Sequence, residues 1–318
     1  MRKLIGFTLI VLLAGVASGY AMLREFSAPG PLAQSRNVVV PRGSLQAVAE
    51  MLQRETVIRF PWLFRVAALA TWTDGPLHAG ELTFPEAASL ETVLTVLRFS
   101  RPVQHRLTIP EGLTSAQIAR VVAAESLLDG DLQVPPEGGL LPDTYSFERN
   151  SPTSGVIARA RAAMAHAIAA AWAARAPGLP LRSPREALIL ASIVEREARL
   201  PGERPMIARV FLNRLAAGMR LQADPTAYYT ASGGLGTLDR PLARDDLEHS
   251  DQYNTYVVDG LPEGPICSPG LASIQAVLHP SSGNALYFVT DGTGGHVFSS
   301  SLAEHLSNVS RMRARGRP

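Results

Sequence analysis

The sequence has a single cysteine, few aromatic residues and almost no excess of charge of either sign. Cys267 is the one cysteine among 318 residues, so no disulfide can form within the chain. Aromatic residues make up 6%, charged residues 18%, and the formal net charge is +2. This balance gives no electrostatic indication of nucleic-acid binding. Stability must come from a hydrophobic core, for which 46% hydrophobic residues are ample.

Several common catalytic patterns are also missing. The seven histidines and the cysteine form neither H-E-x-x-H nor paired C-x-x-C spacing, so we predict no metal and no cofactor. There is no G-x-S-x-G nucleophile motif and no phosphate-binding loop. Cys267 lies in the turn-like run GPICSPG without an adjacent histidine, which argues against a nucleophilic role.

The N-terminus carries a long apolar run. Two basic residues precede an uncharged stretch from Leu4 to Leu23, and about twenty apolar residues are enough to span a bilayer. Basic residues before the run favour a cytoplasmic N-terminus, with the folded part outside the cytoplasmic membrane. Small residues between Ala17 and Ala21 leave a cleavable signal peptide as the alternative. We predict a cytoplasmic tail at 1–3, a transmembrane anchor at 4–23 and a linker at 24–36.

The remainder predicts an α+β fold. Residues 37–104 give strand, helix, helix and strand in turn, which is a compact βααβ unit. Residues 105–150 predict a connecting α/β segment, and residues 151–318 a larger mixed α/β domain with a hairpin at Asp291-Gly292. The predicted architecture is an N-terminal transmembrane helix, a βααβ subdomain and a mixed α/β domain.

One stretch of the larger domain stands out, Ser183 to Leu200. Ser183, Pro184 and Glu186 form a strong helix start with a capping box. The apolar residues that follow cover nearly the whole circumference of the helix, so it should be buried on most sides. Glu195 and Glu197 lie at its end, where a buried helix would not be expected to carry carboxylates.

Glu195 is the candidate catalytic residue of this helix. It projects beside Leu188 and Ala191, and burial disfavours the charged form of a carboxyl, as a general acid in glycosidic-bond cleavage requires. Glu197 is about 200° further around the helix, so the two carboxylates point to different sides. The alternative is a solvated helix end in which Glu195 pairs with Arg199.

Longer motifs connect this helix with the rest of the chain. The segments ASIVEREA, ARVFLNRLAAGMRLQADPT, YNTYVVDGLPEGPICSPGLASIQAVLHP and ALYFVTDGTGGHVFSSSLAEH resemble motifs of the endolytic murein transglycosylase (YceG-like) family. LTIPEGLTSAQIA and LLPDTYSF match upstream segments of that family, and the resemblance runs in order from Val38 to His305. Cys267 and Ala285 are small departures from its pattern.

The resemblance implies where the functional parts lie. It implies a LysM-like subdomain at 37–104 and a catalytic transglycosylase domain at 151–318, with Glu195 as the catalytic acid of the S-I-V-E motif. The residues it places near the glycan are Glu197, Asn213, Arg214, Gln222, Asp224, Thr226, Tyr253, Asn254, Tyr256 and His296.

The activity implied is lytic cleavage of the MurNAc–GlcNAc bond in nascent glycan strands, which leaves 1,6-anhydroMurNAc ends. Glu195 would act first as general acid and then as base. The implied location is the cytoplasmic (inner) membrane, single-pass, with the catalytic domain on the periplasmic side. The implied partners are peptidoglycan glycan strands, the membrane through the N-terminal helix, and peptidoglycan synthases. Two alternatives remain: a muramidase that uses Glu195 and Asp224, and a peptidoglycan-binding scaffold without activity.

Overall fold

The structure, a computed structural model, describes residues 2–315, apart from the side chains of residues 2–9, 11 and 315. Helices and small sheets alternate along the chain, which confirms a mixed α/β fold. The chain divides into two compact units. The first comprises Met1–His105 with Ser146–Asn150, and the second comprises Arg106–Tyr145 with Ser151–Pro318.

Helix α1 (Arg2–Ser27) opens the first unit and includes the predicted anchor at 4–23. Within the described part of the chain, no helix combines the length and the apolar character needed to cross a membrane. Met1 of the predicted cytoplasmic tail, and the side chains at 4–9 and 11 of the predicted anchor, lie outside the described residues.

The remainder of the first unit is a strand–helix–helix–strand arrangement followed by a helix. The elements are β1 (Arg36–Val40), α2 (Leu45–Arg54), α3 (Pro61–Ala70), β2 (Gly80–Phe84) and α4 (Leu90–Phe99). Strands β1 and β2 are antiparallel, with Val38 opposite Leu82. Both residues are buried in a core with Leu52, Phe64 and Leu97. The predicted βααβ order is present, whereas the LysM-like character stays a prediction.

A short connecting stretch follows. Strand β3 (Gln104–Thr108) pairs with β5 (Thr144–Glu148), and the division between the units falls within each of these two strands. Between them lie α5 (Ser115–Ala123), which starts with a Thr114/Gln117 capping box, and β4 (Leu128–Asp129). Strand β4 pairs in parallel with β6 (Ser151–Pro152). Strand β5 is not predicted from the sequence, because its apolar and polar residues follow no clear period.

The second unit is built on packed helices. Its elements are α6 (Thr153–Ala173), α7 (Pro184–Glu197), α8 (Arg204–Ala216), α9 (Asp224–Ala231), α10 (Arg244–Glu248), α11 (Leu271–Leu278), β7 (Tyr287–Thr290), β8 (His296–Ser299) and α12 (Leu302–Arg315). Helix α7 packs against α6, α8, α9 and α11. Leu190 and Ile193 of α7 and Phe211 of α8 are fully buried in this core. Strands β7 and β8 form the predicted hairpin, with Thr290 opposite His296.

The structure corrects the prediction for the segment Met219 to Tyr229. From the sequence alone, Asp224-Pro225 predicts an extended segment here, because a residue before proline avoids helical geometry. Instead, helix α9 begins at Asp224, with Pro225 in its first turn. Proline is tolerated there because the first-turn N–H groups have no partner within the helix.

Candidate active site

Helix α7 positions both candidate carboxylates. The Ser183 hydroxyl accepts a hydrogen bond from the Glu186 N–H at 3.2 Å, as the capping pattern predicted. Seven residues between Ala187 and Val194 are buried, so the helix is surrounded on most sides. It ends at Glu197, because Ala198 is extended with φ −79° and ψ 103°. Glu195 and Glu197 therefore belong to the last helical turn and face different neighbours.

Glu195 is enclosed by hydrogen-bond donors. Its side chain is 6% exposed. One carboxylate oxygen accepts from Arg204 Nη2 at 3.1 Å and the other from the Gly270 N–H at 3.0 Å. Gly270 is the N-cap of α11, so the carboxylate lies where a helix dipole stabilises negative charge. Arg204 also reaches the Glu111 carboxylate at 3.6 Å. Glu195 thus links α7, α8 and the start of α11 as an acceptor.

Glu197 lies on a different side, in a pocket of about 410 Å³. The lining residues are Glu197, Arg214, Leu221, Gln222, Asp224, Tyr256, Phe288, Val289, Thr290, His296 and His305. Six of the predicted site residues come together here, from α7, α8, the start of α9, the loop around Tyr256 and strand β8. Glu195 is not one of the described residues that line this pocket.

Burial raises the pKa of Glu197 from its ordinary value of 4.5 to about 8. The negative charge of Asp224 acts in the same direction, and Arg199 opposes both. A carboxyl with this pKa carries its proton at neutral pH, which is the state that a general acid needs.

Asp224 is held in place by Tyr256. The Tyr256 hydroxyl donates to the Asp224 carboxylate at 2.5 Å. Burial and this hydrogen bond raise the pKa of Tyr256, so the phenol keeps its proton and remains the donor. The pair therefore presents a fixed negative charge beside Glu197, and this charge favours the protonated form of that carboxyl.

His296 is oriented by Glu203. The two oxygens of the Glu203 carboxylate bind the backbone N–H of His296 at 2.9 Å and its ring Nδ1 at 2.7 Å. The contact with a carboxylate assigns the ring proton to Nδ1, which leaves Nε2 free for a ligand. Phe288 packs edge-on against the ring at 5.1 Å. Nothing in the local sequence around Glu203 indicated this role.

Arg214 and Gln222 shape the pocket wall. Arg214 is mostly buried and donates to the carbonyl oxygens of Leu286 and Leu221 at 2.7 and 2.8 Å. Burial lowers the pKa of this guanidinium. Gln222 has a φ of +49°, a left-handed conformation that is costly for a residue with a side chain. Arg214 thus fixes the backbone of the wall, whereas the Gln222 side chain is exposed.

Four predicted substrate-binding residues lie outside the pocket lining: Asn213, Thr226, Tyr253 and Asn254. The amides donate to backbone carbonyls, Asn213 to Ala285 and Asn254 to His249, each at 2.9 Å. The Thr226 hydroxyl donates to the Ala223 carbonyl at 2.7 Å, and the Tyr253 ring packs 5.1 Å from Tyr229. These contacts hold the surrounding loops in shape.

Thr290 and His305 line the pocket but were not among the predicted site residues. Burial, together with the nearby Arg214, lowers the pKa of His305. Its Nδ1 is buried without a hydrogen-bond partner among the described residues, and its ring stacks on Tyr287 at 5.2 Å. Both residues belong to the motif ALYFVTDGTGGHVFSSSLAEH, so that segment was the signal that could have identified them.

Neither a metal site nor a reactive thiol emerges from the described residues. Across residues 2–315, no group of three or more His, Cys, Asp or Glu side chains is arranged to hold a metal ion. Cys267 is buried, its thiol donates to the Ser192 carbonyl of α7 at 3.3 Å, and burial raises its pKa. The thiol therefore packs against the helix that carries the two glutamates.

Comparisons with known proteins identify relatives of this chain. The YceG-like family matches residues 38–311. An endolytic murein transglycosylase of Bacillus subtilis is 28% identical, over 85% of this chain and 82% of its own length. One of Streptococcus pneumoniae is 29% identical over 95% of this chain, which spans only 63% of that relative's length. A crystal structure of a yceG-like protein from Listeria monocytogenes has a TM-score of 0.53 and 30% identity, over 86% of this chain and 99% of that one.

Proposed function

The chain belongs to the YceG-like family, and from this premise we propose that it is a lytic murein transglycosylase. Its relatives in Bacillus subtilis and Streptococcus pneumoniae are endolytic murein transglycosylases. The substrate class is then peptidoglycan, and the site of action is outside the cytoplasm. The observation that carries the proposal is a carboxyl with a pKa of about 8 in a pocket large enough for part of a sugar chain.

The proposed acid is Glu197. Its proton passes to the oxygen that links C1 of a muramic acid residue to the next glucosamine, and the C1–oxygen bond breaks. Positive charge develops at C1 and its ring oxygen. The Glu197 carboxylate then takes the proton of the C6 hydroxyl while O6 bonds to C1, which gives a 1,6-anhydro end. One carboxyl thus acts as acid and then as base, and the substrate supplies the nucleophile.

The neighbours of Glu197 have supporting roles in this scheme. The Asp224 carboxylate, fixed by Tyr256, keeps Glu197 protonated and stabilises positive charge at C1. His296, fixed by Glu203, offers Nε2 to a sugar hydroxyl. Gln222 presents an exposed amide to the glycan from a rigid backbone position.

Assigning the acid to Glu197 departs from the sequence prediction, which placed it at Glu195. Glu195 is the acceptor of two donors, one of them the guanidinium of Arg204. Both of its carboxyl oxygens are therefore already engaged as acceptors by other parts of the protein, and Glu195 is not among the described residues that line the pocket. We assign Glu195 the role of fixing the end of α7, so that Glu197 faces the pocket. The prediction for Glu195 remains the alternative that variants must decide.

A muramidase is the second candidate, because Asp224 and Glu197 share one pocket. In a hydrolase with two carboxylates, the second would be the nucleophile or would activate water. Purified glycan strands should be digested and the products weighed by mass spectrometry. We expect chain ends of anhydromuramic acid, which lack one water relative to reducing ends. Reducing ends as the only new ends would support the muramidase and contradict the lyase.

The N-terminal apolar run is the basis for a proposed location and proposed partners. We propose that the apolar run Leu4–Leu23 anchors the chain in the cytoplasmic membrane and that the second unit acts on the extracytoplasmic (periplasmic) side. The support is the sequence, in which two basic residues precede the run. A membrane-held enzyme would meet nascent strands as they leave the membrane, with peptidoglycan synthases as neighbours.

A further inference from the structure

Helix α3 in the first unit has an apolar face that no described residue covers. Trp62, Val66 and Leu69 follow helical spacing and are exposed. Phe60 precedes them and Trp72 follows. Trp62 is 55% and Trp72 is 73% exposed. An exposed tryptophan on this face, with a second one in the turn just after the helix, is uncommon on a soluble domain and indicates a surface that meets something apolar.

The other face of α3 is already used for folding. Leu63, Phe64, Ala67 and Ala68 are buried in the core of the first unit. The helix therefore carries apolar residues on both faces, whereas a helix at a water-exposed surface needs only one such face. The outer face contributes nothing to the core, so folding alone does not account for it.

Helix α1 brings a second apolar surface to the same place. Met22 and Phe26, near its C-terminal end, pack against the core of the first unit. Glu25 of α1 forms an ion pair at 3.4 Å with Arg59, two residues before α3. Towards the N-terminus of α1, side chains such as Val16 and Tyr20 are apolar or amphipathic and exposed. The start of α3 thus lies close to the end of α1 at which the apolar run stops.

The helix and the residue two places before it carry basic side chains, with Glu25 paired to Arg59 and Asp74 just beyond Trp72. From Thr56 to Thr73 the chain contains Arg59 and Arg65 and no acidic residue. Both arginines are exposed. Tryptophan and arginine are suited to the boundary between lipid headgroups and acyl chains, because an apolar body is joined to a polar group. Basic residues add attraction to anionic headgroups.

From these observations we infer that the outer face of α3 docks on a bilayer surface that bears anionic lipids, with Trp62 and Trp72 as the anchoring side chains. The inference goes beyond the lyase activity and is independent of which glutamate is the acid. It rests on the proposed anchor only for the location of the bilayer at the end of α1. Docking would fix the orientation of the first unit at the membrane.

The test uses the full chain in vesicles of phosphatidylcholine and phosphatidylglycerol in equal parts, with one tryptophan kept at a time. The three tryptophans are Trp62, Trp72 and Trp172. Trp172→Phe with Trp72→Phe isolates Trp62, and Trp172→Phe with Trp62→Phe isolates Trp72. We expect lipids brominated near the headgroup to remove more than half of the emission of either tryptophan. Acrylamide dissolved in the water should quench the emission of each tryptophan less in the vesicles than in the same protein without lipid or detergent.

Vesicle flotation separates the ways in which the proposal can fail. A chain that floats with vesicles, while Trp62 and Trp72 stay open to acrylamide and insensitive to brominated lipid, overturns docking and leaves the lyase and the anchor intact. A chain that does not float overturns both docking and the anchor. The variant Arg59→Gln/Arg65→Gln should show weaker quenching, and unchanged quenching would contradict the part played by anionic lipids.

A second copy of the chain is the competing occupant. In the variant Leu69→Cys, the native Cys267 is buried and cannot react. Rapid oxidation of that variant in vesicles to a disulfide-linked dimer would assign the face to self-association and overturn the lipid proposal. We expect the variant to stay monomeric under the same oxidant.

Discussion

Glu195 and Glu197 are two residues apart but lie in different electrostatic environments. Glu195 accepts hydrogen bonds from Arg204 and Gly270, whereas Glu197 lies in a pocket beside another carboxylate. The first environment stabilises negative charge and the second opposes it. The sequence showed that the two side chains point to different sides of α7. It could not show which side carries the donors, because Arg204, Gly270 and Asp224 come from separate elements.

At this scale, the first prediction concerns the pH dependence of activity. If Glu197 is the acid, turnover falls as the pH rises through about 8, where its proton is lost. Asp224 raises this pKa, so Asp224→Asn should move the falling limb of the pH–rate profile to lower pH. Tyr256→Phe is the matched control, because it removes the hydrogen bond and keeps the charge. A limb that Asp224→Asn leaves in place would contradict the electrostatic assignment.

The stability of the folded protein should depend on pH through the same raised pKa of Glu197. The folded state holds the Glu197 proton up to a pH of about 8, whereas the unfolded chain releases it near 4.5. Between these values the folded state binds more protons, so stability falls as the pH rises. Glu197→Gln cannot ionise, so its melting temperature relative to the natural protein should increase over this range. Thermal unfolding at several pH values measures the difference, and a constant difference would count against a raised pKa of Glu197.

Among the elements, the contact of Glu195 with Arg204 and the N-cap of α11 connects the end of α7 with two other helices. Arg204→Gln leaves a buried carboxylate with one donor fewer, which should lower the free energy of unfolding by about 3 kcal/mol. The double variant Glu195→Gln/Arg204→Gln should lose no more than Arg204→Gln alone, since the stranded charge is gone.

Chemical denaturation of the four proteins in this cycle gives the coupling. Arg244→Gln is a suitable control, because the ion pair of Arg244 with Glu248 is exposed and worth under about 1 kcal/mol. Losses that simply add would mean that Glu195 and Arg204 act independently, and that the pair does not hold α7 in place.

Elements with local signals were the ones that sequence could predict. The capping boxes before α5 and α7 and the Asp291-Gly292 turn act through neighbouring residues, so they are visible in the chain. Helix α9 was missed because Asp224-Pro225 locally favours extension, whereas the buried Thr226 is held by a hydrogen bond to Thr255, which is far away in sequence. Strand β5 was missed because its pairing with β3 is a long-range contact.

On the scale of the whole molecule, the sequence resemblance led to the family, and the family match over residues 38–311 bears it out. Motifs in the correct order identify a family even where the role of each single residue is untested. Tyr256 and His296 were expected at the site and line the pocket, whereas Asn213 and Asn254 hold backbone carbonyls. The resemblance identifies residues that belong to the family's motifs. The contacts in the structure are needed to separate those that can take part in the reaction from those that hold the backbone in place.

The predicted membrane anchor has to be tested on the full-length protein. Membranes from cells that make the full protein should be washed with alkaline carbonate, which removes proteins held only at the surface. We expect the chain to remain with the membranes, because about twenty apolar residues favour insertion. Leu12→Arg with Leu13→Arg is the matched variant, and it should be released. Release of the unaltered chain would contradict the anchor without affecting the lyase.

The most direct test of the account compares Glu197→Gln with Glu195→Gln on purified glycan strands, after both variants are shown to be folded. The measurement is the rate at which anhydromuramic ends appear. We expect Glu197→Gln to lose at least about 100-fold, because the amide can neither give nor take the proton, while Glu195→Gln retains measurable cleavage. Undiminished cleavage by Glu197→Gln, or complete loss in Glu195→Gln alone, would contradict the assignment of the acid to Glu197.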